Sequence, residues 1–172
     1  EEKKMLKKIF LILFFLSCSA FAKTTIIAAE NDYGSIAKML GGDEVNVISI
    51  LNNPNQDPHL FNLSPHWLFL LSQLKKQDIF ILNGADYDPW ALNLLKHTQA
   101  QIINIAEMNH VHPGANPHLW YELIYIKTFA KNLTTFLIQN QPEKKDFFNK
   151  NLLAFLAKTQ KIENKISLFR KQ

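Results

Sequence analysis

Between residues 24 and 106 the chain alternates short, almost unbroken apolar runs with amphipathic stretches of about ten residues, and this limits the folds open to it. The runs are Thr24–Ala29 (TTIIAA), Val45–Leu51, Asp78–Leu82 (DIFIL) and Gln101–Ala106. They are too short for buried helices and rich in β-branched residues, which predicts four strands. After the first, Tyr33, Ile36, Ala37 and Leu40 recur at helical spacing and Gly41-Gly42 closes the helix. Ser64-Pro65 opens a helix through Leu74, and Asp88-Pro89 opens another over Trp90–Lys96, each a capping residue followed by Pro at the first helical position. Strands apolar on both sides need cover on both sides. The expected fold is therefore α/β, a parallel four-stranded sheet with helices on both faces. Such sheets collect ligands at the loops leaving the carboxyl ends of their strands. Those loops are Glu30–Asp32, Asn52–Ser64, Asn83–Asp88 and Glu107–Pro117.

The last third has a different pattern. Leu123, Ile126, Ala130, Leu133 and Leu137 predict an amphipathic helix. Pro142 opens a second, with Phe148, Leu152, Phe155, Thr159, Ile162, Ile166 and Phe169 on one stripe. Running to the C-terminus it would measure about 43 Å at 1.5 Å per residue, longer than a domain of this size is wide. Its distal stripe needs cover, from a partner or from chain that should follow.

The other end reads as a leader. Lys7 and Lys8 precede an apolar run, Ile9–Leu16, and the segment ends Ala20-Phe21-Ala22, the three parts of a secretory signal. The run falls short of the roughly 20 residues that span a membrane. Cleavage after Ala22 is the expectation, with lipidation at Cys18 the competing one. The organisation expected is a signal peptide over 1–22, a lobe over 23–141 and a long helix over 142–172. Cys18 is the sole cysteine, so no disulfide is expected beyond the leader. The formal net charge is +4, and the lysines of the leader contribute much of it. What remains is too weak to argue for nucleic acid.

Chemistry rests with the histidines. His59 and His118 share a local frame, Asp57-Pro58-His59-Leu60 and Asn116-Pro117-His118-Leu119, each in a loop at a strand's carboxyl end. Proline fixes its own φ and keeps the preceding residue extended, so each imidazole sits on stiff backbone. Asp57 and Asn116 can bond nearby main chain and lock their turns. Rigid mounting is what a metal site requires, although either histidine alone reads equally as a hydrogen-bonded loop residue. His110 and His112 flank Val111 and are candidate accessory ligands or solvated loop residues. His66, behind Pro65, reads as a first-turn surface residue, and His97 as a helix-end cation. Glu107 could join a metal shell or simply end its strand, and Asp88 reads as a helix cap. No nucleophile–base pair, Gly-rich phosphate loop or His-Glu-x-x-His helix is present. Catalysis is therefore not expected; a secreted zinc hydrolase, with two His and a carboxylate holding the metal, is the competing enzyme reading.

Ile27-Ala28-Ala29-Glu30-Asn31, Gly34-Ser35-Ile36-Ala37, Leu40-Gly41-Gly42, Asp57-Pro58-His59, Asn83-Gly84-Ala85, Pro89-Trp90 and Asn116-Pro117-His118-Leu119-Trp120, in this order, resemble the metal-binding solute-binding proteins of bacterial ABC importers, the ZnuA/TroA-like family. The resemblance implies two α/β lobes joined by one long helix, with Zn²⁺, or alternatively Mn²⁺, held between them. It implies His59 and His118 as the amino-terminal lobe's ligands, and the segment from Pro142 as the start of the joining helix. Glu107–His112 resembles a short form of the His- and acid-rich loop of zinc-specific members. It further implies a periplasmic, monomeric receptor that hands its ion to a membrane ABC permease. The second lobe, with the rest of the ligand shell, is not in the sequence. A truncated remnant unable to hold metal is therefore a further expectation to test.

Overall fold

The computed structural model describes residues 23–170, so the expected leader over 1–22, Cys18 included, lies outside the described residues. Four strands form one parallel sheet: β1 (Thr24–Glu30), β2 (Val45–Leu51), β3 (Ile79–Leu82) and β4 (Gln101–Asn104), in the order β2-β1-β3-β4. Central β1 pairs Thr24 with Val45 through Glu30 with Leu51 on one side, and Ile26–Ala28 with Ile79–Ile81 on the other. Among the described residues six α-helices accompany the sheet: α1 (Asn31–Gly41), α2 (Pro65–Ser72), α3 (Pro89–Leu94), α4 (Ile105–Met108), α5 (Leu123–Asn140) and α6 (Lys145–Phe169).

Side chains of a strand alternate between its faces, and here both faces are buried. Ile26, Ala28, Ile79 and Ile81 pack with Tyr33, Phe129, Leu133 and Phe148 under α1, α5 and α6. Ile27, Ala29, Phe80 and Leu82 pack with Leu71, Trp90 and Leu94 under α2 and α3. This is the two-sided cover that the unbroken apolar runs require. α1 lies close on β2: a Cβ added to Gly34 would sit 2.1 Å from the Ser49 hydroxyl oxygen, so any side chain there would force Ser49 to turn away.

The element boundaries differ from expectation where local hydrogen bonding competes with the apolar pattern. β4 stops at Asn104, because the Asn104 side chain accepts from the Glu107 amide and starts α4 over Ile105 and Ala106. Glu107 thus lies exposed on a short helix rather than ending a strand. Ser64 occupies the N-cap position of α2 without a side-chain capping bond, and α2 ends at Ser72. The helix expected over Trp90–Lys96 is α3 followed by a 3-10 turn over Leu95–His97. Asp88 occupies its N-cap position without a side-chain capping bond. Its carboxylate reaches back to the turn after β3 instead, as described below.

A 3-10 turn over Pro142–Lys144 leads into α6, which is 25 residues long and hence about 38 Å. Its stripe divides in two. Phe148, Phe155 and Thr159 are buried against the lobe, whereas Ile162 (47%), Ile166 (40%) and Phe169 (75%) are exposed. Among the described residues no helix is long and apolar enough to cross a membrane.

Candidate metal centre

The loops at the carboxyl edge carry His59 and His118, and each loop is locked by the side chain two residues before its histidine. Asp57 Oδ1 accepts from the His59 amide at 2.9 Å, starting a 3-10 turn over Pro58–Leu60. Asn116 Oδ1 accepts from the His118 amide at 3.1 Å, just before a 3-10 turn over Leu119–Tyr121. The same oxygen lies 2.8 Å from His118 Nδ1. A backbone N–H can only donate, so this atom is the amide oxygen and Nδ1 carries the ring proton. The Nε2 lone pair of His118 is thereby left for a metal, the arrangement that orients metal-binding imidazoles.

Both prolines are tied to one segment, the turn between β3 and α3. The Trp90 indole N–H donates to the Pro58 carbonyl at 3.0 Å, and the Asn83 side-chain amide donates to the Pro117 carbonyl at 2.9 Å. Between these ties Tyr87 forms a platform. Its ring centroid is 5.1 Å from that of His59 and 5.7 Å from that of His118, both edge-on. The two imidazoles, 59 positions apart in the chain, therefore lie within about 11 Å of each other, the most those two separations allow. Trp120 closes the cluster, with ring centroids 4.8 Å from Tyr87 and 5.3 Å from His118. Both histidines stay exposed at this edge.

Asn83, Tyr87 and Trp90 carry no signal of metal chemistry in the sequence. Asn83-Gly84-Ala85 and Pro89-Trp90 form part of the family resemblance, with no role attached to them. The segment is tightly bent: Gly84, Ala85 and Asp86 all have positive φ (74°, 50° and 61°), a strained run of the kind that persists where the surroundings enforce it. Two hydrogen bonds enforce it here. Asp88, 1% exposed, accepts from the Asn83 amide through Oδ2 and from the Gly84 amide through Oδ1, both at 2.8 Å. The Asn83 side-chain oxygen in turn accepts from the Tyr33 hydroxyl.

The surroundings are acidic. Burial first, then Glu30, Asp32, Asp57 and Asp88 once ionised at high pH, push the Tyr87 phenol up to about 12, so it stays protonated. Glu30, at the end of β1 and 3% exposed, is raised well above the usual carboxylate range by burial and by neighbouring Asp88. Asp88 is raised by burial too, but its hydrogen bonds pull the other way. A concentration of carboxylates at this edge favours the arrival of a cation.

His110 and His112 are placed elsewhere. They line a cleft of about 430 Å³ together with Gly84, Asp86, Leu92 and Glu107. His110 has φ of 56°, and neither ring joins the Tyr87 cluster. His66 lies edge-on to Trp67 on α2, and His97 is exposed. Among the described residues no group of three or more His, Cys, Asp or Glu is arranged to hold a metal ion. His59 and His118 are thus a two-imidazole platform, short of the four ligands a closed zinc site takes.

The family model for the periplasmic zinc-uptake complex component A, ZnuA, matches residues 26–169, which includes both Pro-His loops and α6. The chain belongs to the ZnuA family. Among its relatives, the metal ABC transporter substrate-binding lipoprotein FimA of Streptococcus parasanguinis is 26% identical over 91% of this chain and 57% of that protein. The manganese ABC transporter substrate-binding lipoprotein PsaA of Streptococcus pneumoniae is 26% identical over 86% of this chain and 51% of its own length. The iron ABC transporter lipoprotein MtsA of Streptococcus pyogenes is 24% identical over 90% and 56%. The fold matches the crystal structure of the Zn(II)-bound ZnuA-like domain of Streptococcus pneumoniae AdcA, with a TM-score of 0.71 at 21% identity, over 83% of this chain and 54% of that one. It matches the metal-dependent lipoprotein YcdH of Bacillus subtilis at 0.72 and 20% identity, over 83% and 54%. The chain spans about half the length of the curated relatives it matches. These ZnuA-family homologues are substrate-binding components of metal importers, extracytoplasmic and not enzymes, with zinc, manganese and iron among their named metals.

Proposed function

We propose that this chain is the amino-terminal, metal-receiving lobe of an extracytoplasmic binding protein. It takes up Zn²⁺, or alternatively Mn²⁺, as cargo through His59 and His118 and delivers it to a membrane ABC permease. The observation that carries the reading is the convergence of two rigidly mounted imidazoles on Tyr87. Both mounts are tied by hydrogen bonds to the same β3–α3 segment. Neutral imidazole is a good ligand for Zn²⁺, whereas Mn²⁺ prefers oxygen donors, so a site read from its histidines favours zinc. Two imidazoles leave the remaining positions to water or to donors from outside this lobe. Residues 23–141 form the metal-receiving lobe. α6 is the helix joining it to further chain, and the exposed residues Ile162, Ile166 and Phe169 are the surface that such chain would cover.

The test is metal binding by the purified chain, measured by competition with a chromogenic chelator for Zn²⁺ and for Mn²⁺. Zinc should bind measurably and more tightly than manganese, and His59→Ala or His118→Ala should each remove most of the zinc affinity. Unchanged affinity in both variants refutes the ligand assignment. Tighter binding of Mn²⁺ refutes the metal preference.

A further inference from the structure

Below the metal-binding edge lies a pair of buried carboxyl groups that the proposed ligand set does not use. Glu30 is the last residue of β1, and Asp88 is the residue after Tyr87. They are unequal. Asp88 has a backbone N–H donating to each oxygen, the solvation that a buried anion needs. Neither oxygen of Glu30 meets a hydrogen-bond partner at good geometry, and its own backbone N–H lowers its pKa by less than burial and Asp88 raise it. An ionised Glu30 would be a second negative charge, desolvated and beside the first, which is strongly disfavoured. Asp32, in the first turn of α1, adds a further negative charge to the neighbourhood of Glu30. Tyr33 and Tyr87, the other titratable groups near it, stay neutral. Burial of both groups favours the proton staying on Glu30, where it would be free to donate to Asp88 and leave the pair a single charge.

This matters because of what Asp88 holds. Its two backbone bonds cinch the left-handed turn at Gly84–Asp86. That turn delivers Tyr87 between the imidazoles, with Asn83 and Trp90, the ties to Pro117 and Pro58, on either side. We propose that Glu30 is a positioning residue for metal binding. As a neutral acid it donates a hydrogen bond to Asp88, and this clamp fixes the turn that sets the spacing of His59 and His118. The inference rests on the reading of those histidines as ligands.

Three forms of the chain test it: wild type, Glu30→Gln and Glu30→Leu. Gln preserves size and can donate to Asp88 at any pH, whereas Leu keeps the bulk and loses the donor. Infrared difference spectra at pH 7, Glu30→Gln against wild type, should show a protonated-carboxyl carbonyl band in wild type that is lost in the variant. Absence of that band in wild type overturns the inference whatever the metal data show. Zinc affinity should be retained within about twofold in Glu30→Gln and fall about tenfold or more in Glu30→Leu, the range expected for an outer partner of a metal site. Circular dichroism checks that Glu30→Leu is folded; should it not fold, the band and the affinity of Glu30→Gln decide. A folded Glu30→Leu with wild-type affinity, or a tenfold loss in Glu30→Gln, overturns the inference alone. A wild-type chain that binds no zinc, with the band present, refutes the ligand reading instead and removes the role of the clamp in metal binding with it.

Discussion

His59 and His118 are far apart in the chain, while His110 and His112 are separated by one residue, yet the distant pair is the one that converges. The difference lies in the mounting. Each residue of the distant pair follows a proline, has its own amide held by a side chain two residues earlier, and has its proline carbonyl tied to the β3–α3 segment. Among the described residues the His-x-His pair is held by backbone bonds alone, the His110 amide donating to the Glu107 carbonyl and the Val111 amide to that of Ala106. His110 sits at positive φ, and both side chains face the cleft beside Leu92 and Glu107. Closeness in sequence supplies neither rigidity nor a common target. Side chains that reach across the edge of the sheet supply both.

The largest expected effect tests that contrast directly. His59→Ala and His118→Ala should each lower zinc affinity by more than the roughly 10–100-fold that loss of an outer partner costs, while His110→Ala and His112→Ala stay near wild type. Chelator competition measures all four, and the reverse ranking breaks the comparison. Next is Asn83→Leu, which cuts the tie to Pro117 and leaves the Tyr33 hydroxyl without its acceptor. A buried polar group left unpaired costs about 1–3 kcal/mol, to be read from urea unfolding, and zinc affinity should drop about tenfold or more.

The carboxyl pair sharpens the comparison through pH. Glu30 has a folded value raised above its ordinary 4.5, so between that value and its folded one the native state holds a proton that the unfolded chain has lost. Its contribution to stability is complete below 4.5 and drains away as pH climbs toward the folded value, by up to about 1.4 kcal/mol per pH unit. Glu30→Gln should flatten this decline, and urea midpoints measured from pH 5 to pH 8 would show it. A slope unchanged by the substitution would mean that Glu30 ionises normally in the fold. The smallest effect belongs to Trp90→Phe, which keeps the ring in its buried place but removes the bond to Pro58. About 0.5–1.5 kcal/mol of stability and a few-fold of zinc affinity are expected to go, with no change in the surroundings of His118 by NMR.

The strands, their parallel sheet and the two long carboxy-terminal helices were legible in the sequence because burial on both faces leaves an unbroken apolar run, and burial on one face leaves a helical period. β2 runs from Val45 to Leu51 as expected, and α5 buries Ile126, Ala130, Leu133 and Leu137 as its stripe requires. Asp88 stands at the N-cap position of α3, as its place in the sequence suggests, but its carboxylate is turned away from the helix. Only the fold brings the Asn83 and Gly84 amides within its reach.

Local covalent and conformational preferences were thus enough to decide which segments are strand or helix, and that two histidines stand on stiff Pro-led loops at the ligand-binding edge. The sequence alone could not decide that both loops lean on one tyrosine, that Asn83 and Trp90 hold them there, or that Glu30 and Asp88 meet in the interior. Those contacts join β1, the β3–α3 turn and the loops after β2 and α4. They form only once a parallel sheet has brought the carboxyl ends of its strands side by side, and no pattern of nearest neighbours along the chain encodes that.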